Sequence, residues 1–236
     1  MGVEDWKISA AEAAARLVKR GMAVGLGSGS TVAHVVKCLA KLKPDASFVP
    51  GSIATQRLAS ELGLKLASLH EYRKLDLTID GADEVDTSFN MIKGKGGAQT
   101  REKIVADAAK CVVIVVDRTK LVDRLGEKML VPVEVLPFVY KKVIQKLAEL
   151  GKPVLRVAPT GAPFVTDDGN YIIDVKFQGV AKPEEMEAKI NRVPGVIENG
   201  IFVGVADIVL VGYEGGCKIL KSKKDFVNFT RALKKT

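Results

Sequence analysis

The sequence predicts an α/β fold, a parallel β-sheet with helices on both faces, interrupted by a smaller α+β unit. Three observations carry this expectation. Short apolar runs alternate with segments of helical period through the first half of the chain. Between about 130 and 204 the order changes to β-α-β-β-α-β. One more continuous apolar run, "ADIVLVGY", follows, of the kind that belongs in a buried sheet. Strands buried on both faces read as unbroken apolar runs, and strands alternating with helices pair in parallel.

Taken in order, a first helix is expected over about 9–19 and a strand at "MAVGLG". A helix over about 31–42 leads to a strand at "SFVP", and another helix covers about 54–62. "KLDLTID" is a strand, about 100–109 a helix, and "CVVIVVD" a buried strand rich in β-branched residues. The inserted segment opens with a strand at "MLVPVEVL". A helix follows, with Pro137 near its first turn and Gly151 past its end. "PVLRVAP" is a strand, and "FVTDDGNYIIDVKF" a hairpin turning at Asp167, Asp168 and Gly169. A short helix at "KPEEMEAKINRVPG" stops at Pro194, and "VIENGIFVG" reads as one strand. That order is the ferredoxin-like one. The expected architecture is a parallel-sheet, Rossmann-like α/β domain of residues 1–129 and 205–236, with a ferredoxin-like α+β domain of 130–204 inserted in it. The tail "DFVNFTRALKK" has apolar residues at 226, 227, 229 and 233, which predicts a C-terminal helix packing on the first domain or on a partner subunit.

Composition excludes several function classes. The 236 residues suffice for a substantial core, and no apolar run reaches the ~18 residues of a membrane span. The first residues lack the basic-then-apolar order of a secretory signal, and Trp6 stands where a myristoylation pattern wants Ser or Thr. A soluble, cytoplasmic protein is expected. Cys38, Cys111 and Cys217 are scattered and odd in number, which suits reduced thiols packed as small apolar residues. His34 and His70 show no metal-ligand spacing. The net charge of +8 suggests nucleic acid only superficially: from Lys218 onward there are seven Lys or Arg against one Asp, leaving +2 for the rest. No nucleic-acid or membrane partner is expected.

Three stretches carry chemistry. "GLGSGST", 25–31, is a glycine-rich strand-to-helix turn. Backbone N–H groups at a helix N-terminus attract phosphate, and Ser28, Ser30 and Thr31 add hydroxyl donors. It fits neither a dinucleotide fingerprint nor a Walker A loop, because Ser30 replaces the third glycine and no Gly-Lys-Ser/Thr follows. It is a cradle for a phosphate monoester or simply a capped tight turn. "LTIDGADEVD", 77–86, places Asp80 and Asp83 at the C-terminal edge of a strand, where ligands bind in open α/β sheets. These carboxylates suit sugar hydroxyls, a magnesium ion or plain solvent; Glu84 and Asp86 fit the solvated surface best. "KGKGGAQTRE", 93–102, sets Lys93 beside Gly94, Gly96 and Gly97, whose N–H groups suit an oxyanion hole. Glu102 falls in the first turn of the next helix, where it either favours the helix dipole or serves as a general base against an enediolate.

The motifs "GLGSGSTVAH", "TIDGADEVD", "KGKGGAQTREKIVA", "DRTKLVDRLG" and "VPVEVLPF" together resemble ribose-5-phosphate isomerase of the A type. The match is collinear over about 9–215, with "PGVIENGIF" and "ADIVLVG" extending it. The resemblance implies interconversion of ribose 5-phosphate and ribulose 5-phosphate with no metal or organic cofactor, by a homodimer or homotetramer. It implies that Glu102 shuttles the proton between C1 and C2, and that Asp80 and Asp83 handle sugar hydroxyls, one of them assisting ring opening. Lys93 with the backbone of Gly94, Lys95, Gly96 and Gly97 would stabilise the enediolate. Gly81 and Ala82 would line the substrate, Ser28, Gly29, Ser30 and Thr31 would hold it near its phosphate, and Lys120 and Lys7 would bind it. The family often reads KGGG where this chain has Lys93-Gly94-Lys95-Gly96. Lys95 fits if its backbone needs no glycine-only conformation and its side chain points to solvent. The rival expectations are a sugar-phosphate-sensing module without turnover, and a CoA-transferase-like enzyme using a glutamate as nucleophile.

Overall fold

The computed structural model describes residues 2–233. Helix α1 (Val3–Ala15) leads to strand β1 (Ala23–Leu26), helix α2 (Ser30–Leu42), strand β2 (Ser47–Pro50) and helix α3 (Ile53–Glu61). Strand β3 (Leu77–Asp80) is followed by two short strands, β4 (Glu84–Val85) and β5 (Met91–Ile92). Helix α4 (Gln99–Asp107) then enters strand β6 (Val112–Asp117). The next segment holds β7 (Val131–Val135), α5 (Tyr140–Leu147), β8 (Lys152–Leu155), β9 (Tyr171–Lys176), α6 (Pro183–Asn191) and β10 (Val196–Asn199). Strands β11 (Ile201–Phe202), β12 (Ile208–Tyr213) and β13 (Gly216–Leu220) precede helix α7 (Lys223–Leu233).

The main sheet has the order β13-β12-β6-β3-β1-β2, parallel except for the β12–β13 pair. Its central strands are almost wholly buried because both faces are covered. In β6, Val113 and Val115 join one core with the alanines of α1 and the valines of α2, while Val112, Ile114 and Val116 join another with Phe226 and Phe229 of α7. The four-stranded sheet has the order β10-β7-β9-β8, every pair antiparallel. That is the ferredoxin-like arrangement the strand order predicts. It has its own core around Val133, Val143, Leu147, Ile173 and Ile190. We propose the division expected from sequence, 1–129 with 205–236 and 130–204; the separate sheets support it, and Ile92, Val122 and Leu125 of the first unit pack into the core of the second. Among the described residues no helix is long and apolar enough to cross a membrane.

Several elements differ from expectation. The first helix begins at Val3 and ends at Ala15, because Ala10, Ala11, Ala14 and Ala15 bury its face against the sheet and the chain turns out at Arg16. The first arm of the expected hairpin is reduced to a single bridge, Val165 with Tyr171, around the turn at Gly169. "VIENGIFVG" is two strands in two sheets, broken at Gly200: a Cβ there would lie 2.3 Å from the Lys93 carbonyl oxygen. Strands β5, β4 and β11 form a third, small sheet in the order β11-β5-β4. Glu84 and Asp86 are not solvated. Glu84 is fully buried and accepts hydrogen bonds from the backbone N–H groups of Gly126, Lys128 and Met129, at 2.6, 2.6 and 2.8 Å. A buried carboxylate needs such donors, and the 126–129 loop supplies them. Asp86 closes its own turn by accepting from the backbone of Ser88 and Asn90. The C-terminal helix forms as expected over the described residues and packs on the first domain through Phe226 and Phe229; residues 234–236 lie outside the description.

Candidate active site

Parallel strands bring distant motifs to one edge. Strands β6, β3 and β1 are neighbours, so the loops after Leu26, Asp80 and Asp117 emerge side by side. Beyond β1 the chain first moves outward to β2 and then returns to the other side of β1 to form β3. The resulting crevice is where an open α/β sheet binds its ligand. It holds a cleft of about 470 Å³.

Lys93 lies in the wall of this cleft and is only 3% exposed. Its ammonium sits 2.9 Å from Asp80 Oδ2 and 3.1 Å from Glu102 Oε2, and donates to the Gly81 carbonyl oxygen at 2.6 Å. The Phe202 ring lies 5.3 Å from it. Three local devices hold the cluster. Lys93 N donates to Gly200 O at 2.9 Å, which continues the small β5–β11 sheet past Ile92. Asp80 Oδ1 accepts from Ser28 N at 3.2 Å and Gly81 N at 2.7 Å. Gly27 makes room for that carboxylate: a Cβ there would lie 1.8 Å from Asp80 Oδ1.

Burial works against the charge on Lys93, but Asp80 and Glu102 outweigh it and hold the ammonium above its ordinary range. For Glu102, burial and then the Asp80 charge push the carboxyl up, Lys93 pulls it down, and the result is about 8. A carboxyl titrating there has both protonation states populated near neutrality, which suits a group that takes and returns a proton.

The structure gathers most of the residues that sequence singled out. Ser28, Gly29, Ser30 and Thr31 line the cleft at the start of α2, where Gly29 has φ +96°. Lys7 joins them from α1 and donates to Ser30 Oγ at 3.2 Å. Gly81, Ala82 and Asp83 line it after β3, and Lys120 after β6. Gly94, Lys95, Gly96 and Glu102 complete the opposite wall. Two residues sit outside the lining. Asp80 lies behind it with both oxygens engaged, and Gly97, φ +80°, packs on the Phe164 ring. Lys95 is exposed and does not take a left-handed backbone; its N–H donates to Asp83 Oδ2 at 3.0 Å. Among the described residues no group of three or more His, Cys, Asp or Glu side chains is placed to hold a metal ion.

Three functional candidates carry no signal that the sequence analysis used. Asp117 and Thr119 line the cleft; Asp117 is 1% exposed and its Oδ1 accepts from Thr119 N and Oγ1, while nothing among the described residues donates to its Oδ2. The signal was present, since Asp117 ends a strand as Asp80 does. Arg156, from β8's C-terminal side, reaches the glycine turn across the inserted sheet, and no local pattern marks it.

The family model for ribose 5-phosphate isomerase A (phosphoriboisomerase A) matches residues 47–216. A ribose-5-phosphate isomerase A from Trichodesmium erythraeum is 49% identical over 85% of this chain and 88% of its own length. One from Pyrococcus horikoshii is 44% identical over 94% of this chain and 100% of its own. Among solved structures, a D-ribose-5-phosphate isomerase in complex with phospho-erythronic acid superposes with a TM-score of 0.91, at 44% identity over 94% of this chain and 100% of that one. The ribose 5-phosphate isomerase A of Methanocaldococcus jannaschii gives 0.89 at 43% identity, over 94% and 100% of the two chains. Likeness of this extent, in sequence and in fold, places the chain in the ribose 5-phosphate isomerase A family.

Proposed function

We propose that this isomerase interconverts D-ribose 5-phosphate and D-ribulose 5-phosphate through an enediolate, with Glu102 as the general base. The observation that carries the proposal is the buried Glu102–Lys93 pair in the wall of a cleft of sugar-phosphate size, with Asp80 behind it on Lys93. In the aldose the C2 proton is weakly acidic because its electrons can move to the C1 carbonyl oxygen. The Glu102 carboxylate takes that proton, and the electron pair becomes the C1=C2 bond of the enediolate. Lys93 and free N–H groups of the 94–97 turn face the growing negative charge. The O2 hydroxyl proton passes to O1, C2 becomes the carbonyl, and Glu102 returns its proton to C1. A base adds ~10²–10⁴-fold, and each aimed oxyanion donor is worth ~3–4 kcal/mol.

The remaining roles follow from placement. Lys7, Ser30, Thr31 and Lys120 take the phosphate at the N-terminus of α2. Asp83, in the lining, takes sugar hydroxyls and assists ring opening. Asp80, behind the lining, fixes Lys93 and so acts through it. The phospho-erythronic acid of the related structure is a sugar-acid phosphate whose planar carboxylate mimics an enediolate, and this cleft suits the same compound. An assembly of two or four copies completes the proposal; the fully exposed Phe138 beside Leu136 is apolar surface for such an interface to cover, and light scattering measures it.

The test is turnover of ribose 5-phosphate in D2O with EDTA, comparing wild type with Glu102→Gln. Ketose carrying deuterium at the carbon that receives the proton, formed at least ~10²-fold more slowly by the variant, is the expected result. Turnover by Glu102→Gln within about twofold of wild type removes Glu102 as the base.

A further inference from the structure

We propose that Arg156 is a positioning residue for the isomerisation: from the inserted domain it fixes two peptide planes of the glycine turn so that the Gly96 N–H faces the developing oxyanion. The inference rests on the enediolate reading above and assigns the part of that site which no side chain in the cleft explains.

The guanidinium is itself immobilised. Arg156 Nε donates to Asp174 Oδ2 at 2.8 Å and Nη2 to Asp174 Oδ1 at 2.5 Å, a bidentate pair on the neighbouring strand β9. Its face lies 5.5 Å from the centre of the Phe164 ring. Both side chains of the Arg156–Asp174 pair are only 16% exposed. A planar, doubly anchored guanidinium loses little further freedom when it binds another group. The remaining nitrogen, Nη1, donates to two successive carbonyls, Gly94 O at 3.2 Å and Lys95 O at 2.9 Å. Arg156 does not line the cleft.

A trans peptide carries its N–H opposite to its C=O, and the chain has no cis peptide among the described residues. Holding the Gly94 carbonyl therefore aims the Lys95 N–H away from Arg156, and it donates to the Asp83 carboxylate at 3.0 Å. Holding the Lys95 carbonyl likewise turns the Gly96 N–H away from Arg156. Gly96 lines the cleft, and its N–H makes no hydrogen bond among the described residues. Glycine flanks the turn on both sides, with φ +95° at Gly94 and +80° at Gly97, so the turn has no side-chain rigidity of its own. Gly97 rests on the same Phe164 ring that Arg156 covers. Arg156, Asp174 and Phe164 thus form a brace behind the turn. Preorganised donors act in the transition state more than in the ground state, so loss of the brace is expected in kcat rather than KM.

The experiment measures kcat, KM and melting temperature for wild type, Arg156→Ala and Arg156→Lys, with and without added guanidinium, and the affinity of each for phospho-erythronic acid and for inorganic phosphate. The expected result for Arg156→Ala is a ~10–100-fold fall in kcat with KM within about threefold. Affinity for phospho-erythronic acid falls by a similar factor, inorganic phosphate affinity is unchanged, and guanidinium partly restores kcat. Arg156→Lys, with one point donor, falls between. A kcat within twofold of wild type overturns the inference. So does a parallel loss of kcat, KM, phosphate affinity and melting temperature that guanidinium does not restore, since that is the signature of a misfolded domain. Failure of the enediolate reading shows differently: wild type then leaves no solvent deuterium in the ketose, whatever Arg156 does.

Discussion

Replacing Lys93 by methionine removes one charge from between two buried carboxylates and leaves the volume nearly unchanged. Lys93 stands 3.1 Å from Glu102 and 2.9 Å from Asp80. At an effective dielectric constant of ~20, a pair of unit charges at such a distance interacts by ~5 kcal/mol. Truncating one partner of a buried pair costs ~3–5 kcal/mol. Even the lower figure equals about two pKa units at ~1.4 kcal/mol per unit. In wild type, burial and Asp80 raise Glu102 to about 8 with Lys93 opposing them. Without Lys93 the carboxyl rises further and stays protonated at neutral pH.

Two measurements follow from this. With Glu102 as the proposed base, the acid limb of kcat/KM is expected to move upward by at least ~1–2 units in Lys93→Met, and the plateau to fall by ~10²-fold or more with the loss of the cation proposed to face the enediolate. Stability has a defined sign. A carboxyl with a raised folded pKa binds more protons folded than unfolded between its ordinary 4.5 and about 8, so stability falls as pH rises through that window. In Lys93→Met the window extends upward, so the deficit in melting temperature relative to wild type is smaller at pH 5 than at pH 9. A variant whose pH–rate profile superimposes on that of wild type, or whose melting deficit is equal at pH 5 and pH 9, refutes the coupling between Lys93 and Glu102.

Three further outcomes are expected. Gly27→Ala drives a methyl into the Asp80 carboxylate, which unseats Lys93; kcat falls at least ~10-fold, with ~1–3 kcal/mol of stability lost to overpacking, and a fully active, equally stable variant contradicts the packing. Phe226→Ala empties a site that is 1% exposed against Phe89 and β6, and a denaturation midpoint lower by the equivalent of ~3–5 kcal/mol measures the docking of α7. Lys7→Ala raises KM for ribose 5-phosphate by ~10-fold or more while kcat changes less, because Lys7 meets the cleft at Ser30 and not at Glu102; an equal loss in both parameters places the phosphate elsewhere.

The sequence made legible whatever local chemistry encodes. Val112–Asp117 and Ile208–Tyr213 were readable as sheet strands because burial on both faces leaves unbroken apolar runs, in the first case up to Asp117. The antiparallel four-stranded sheet was readable from strand order, and the observed order β10-β7-β9-β8 needed no long-range information beyond it. That Asp83, Lys93 and Glu102 meet at one cleft follows from their motifs, which the fold brings to one edge of the sheet. What escaped depends on distant partners. Strands of two residues, such as Glu84–Val85 and Met91–Ile92, have no period to detect. Glu84 looks like a surface acid until the 126–129 backbone arrives to satisfy it. Strand β13 has a half-exposed burial pattern and an unremarkable composition. Arg156 is 61 residues from the carbonyl it holds most closely.

The hydrogen bond between Lys93 N and Gly200 O also orders events in time. A ribosome that has delivered the first 130 residues has already made Asp80, Lys93 and Glu102, together with four of the six strands of the main sheet. Yet the backbone seat of the lysine, and the Phe202 ring beside its ammonium, arrive only after the inserted unit has been synthesised. Contacts this distant in sequence close late, because the loop between them must be ordered first. The nascent chain therefore passes through a stage in which it owns its chemical groups and lacks their arrangement, and competence is acquired when the polypeptide comes back from its own insertion.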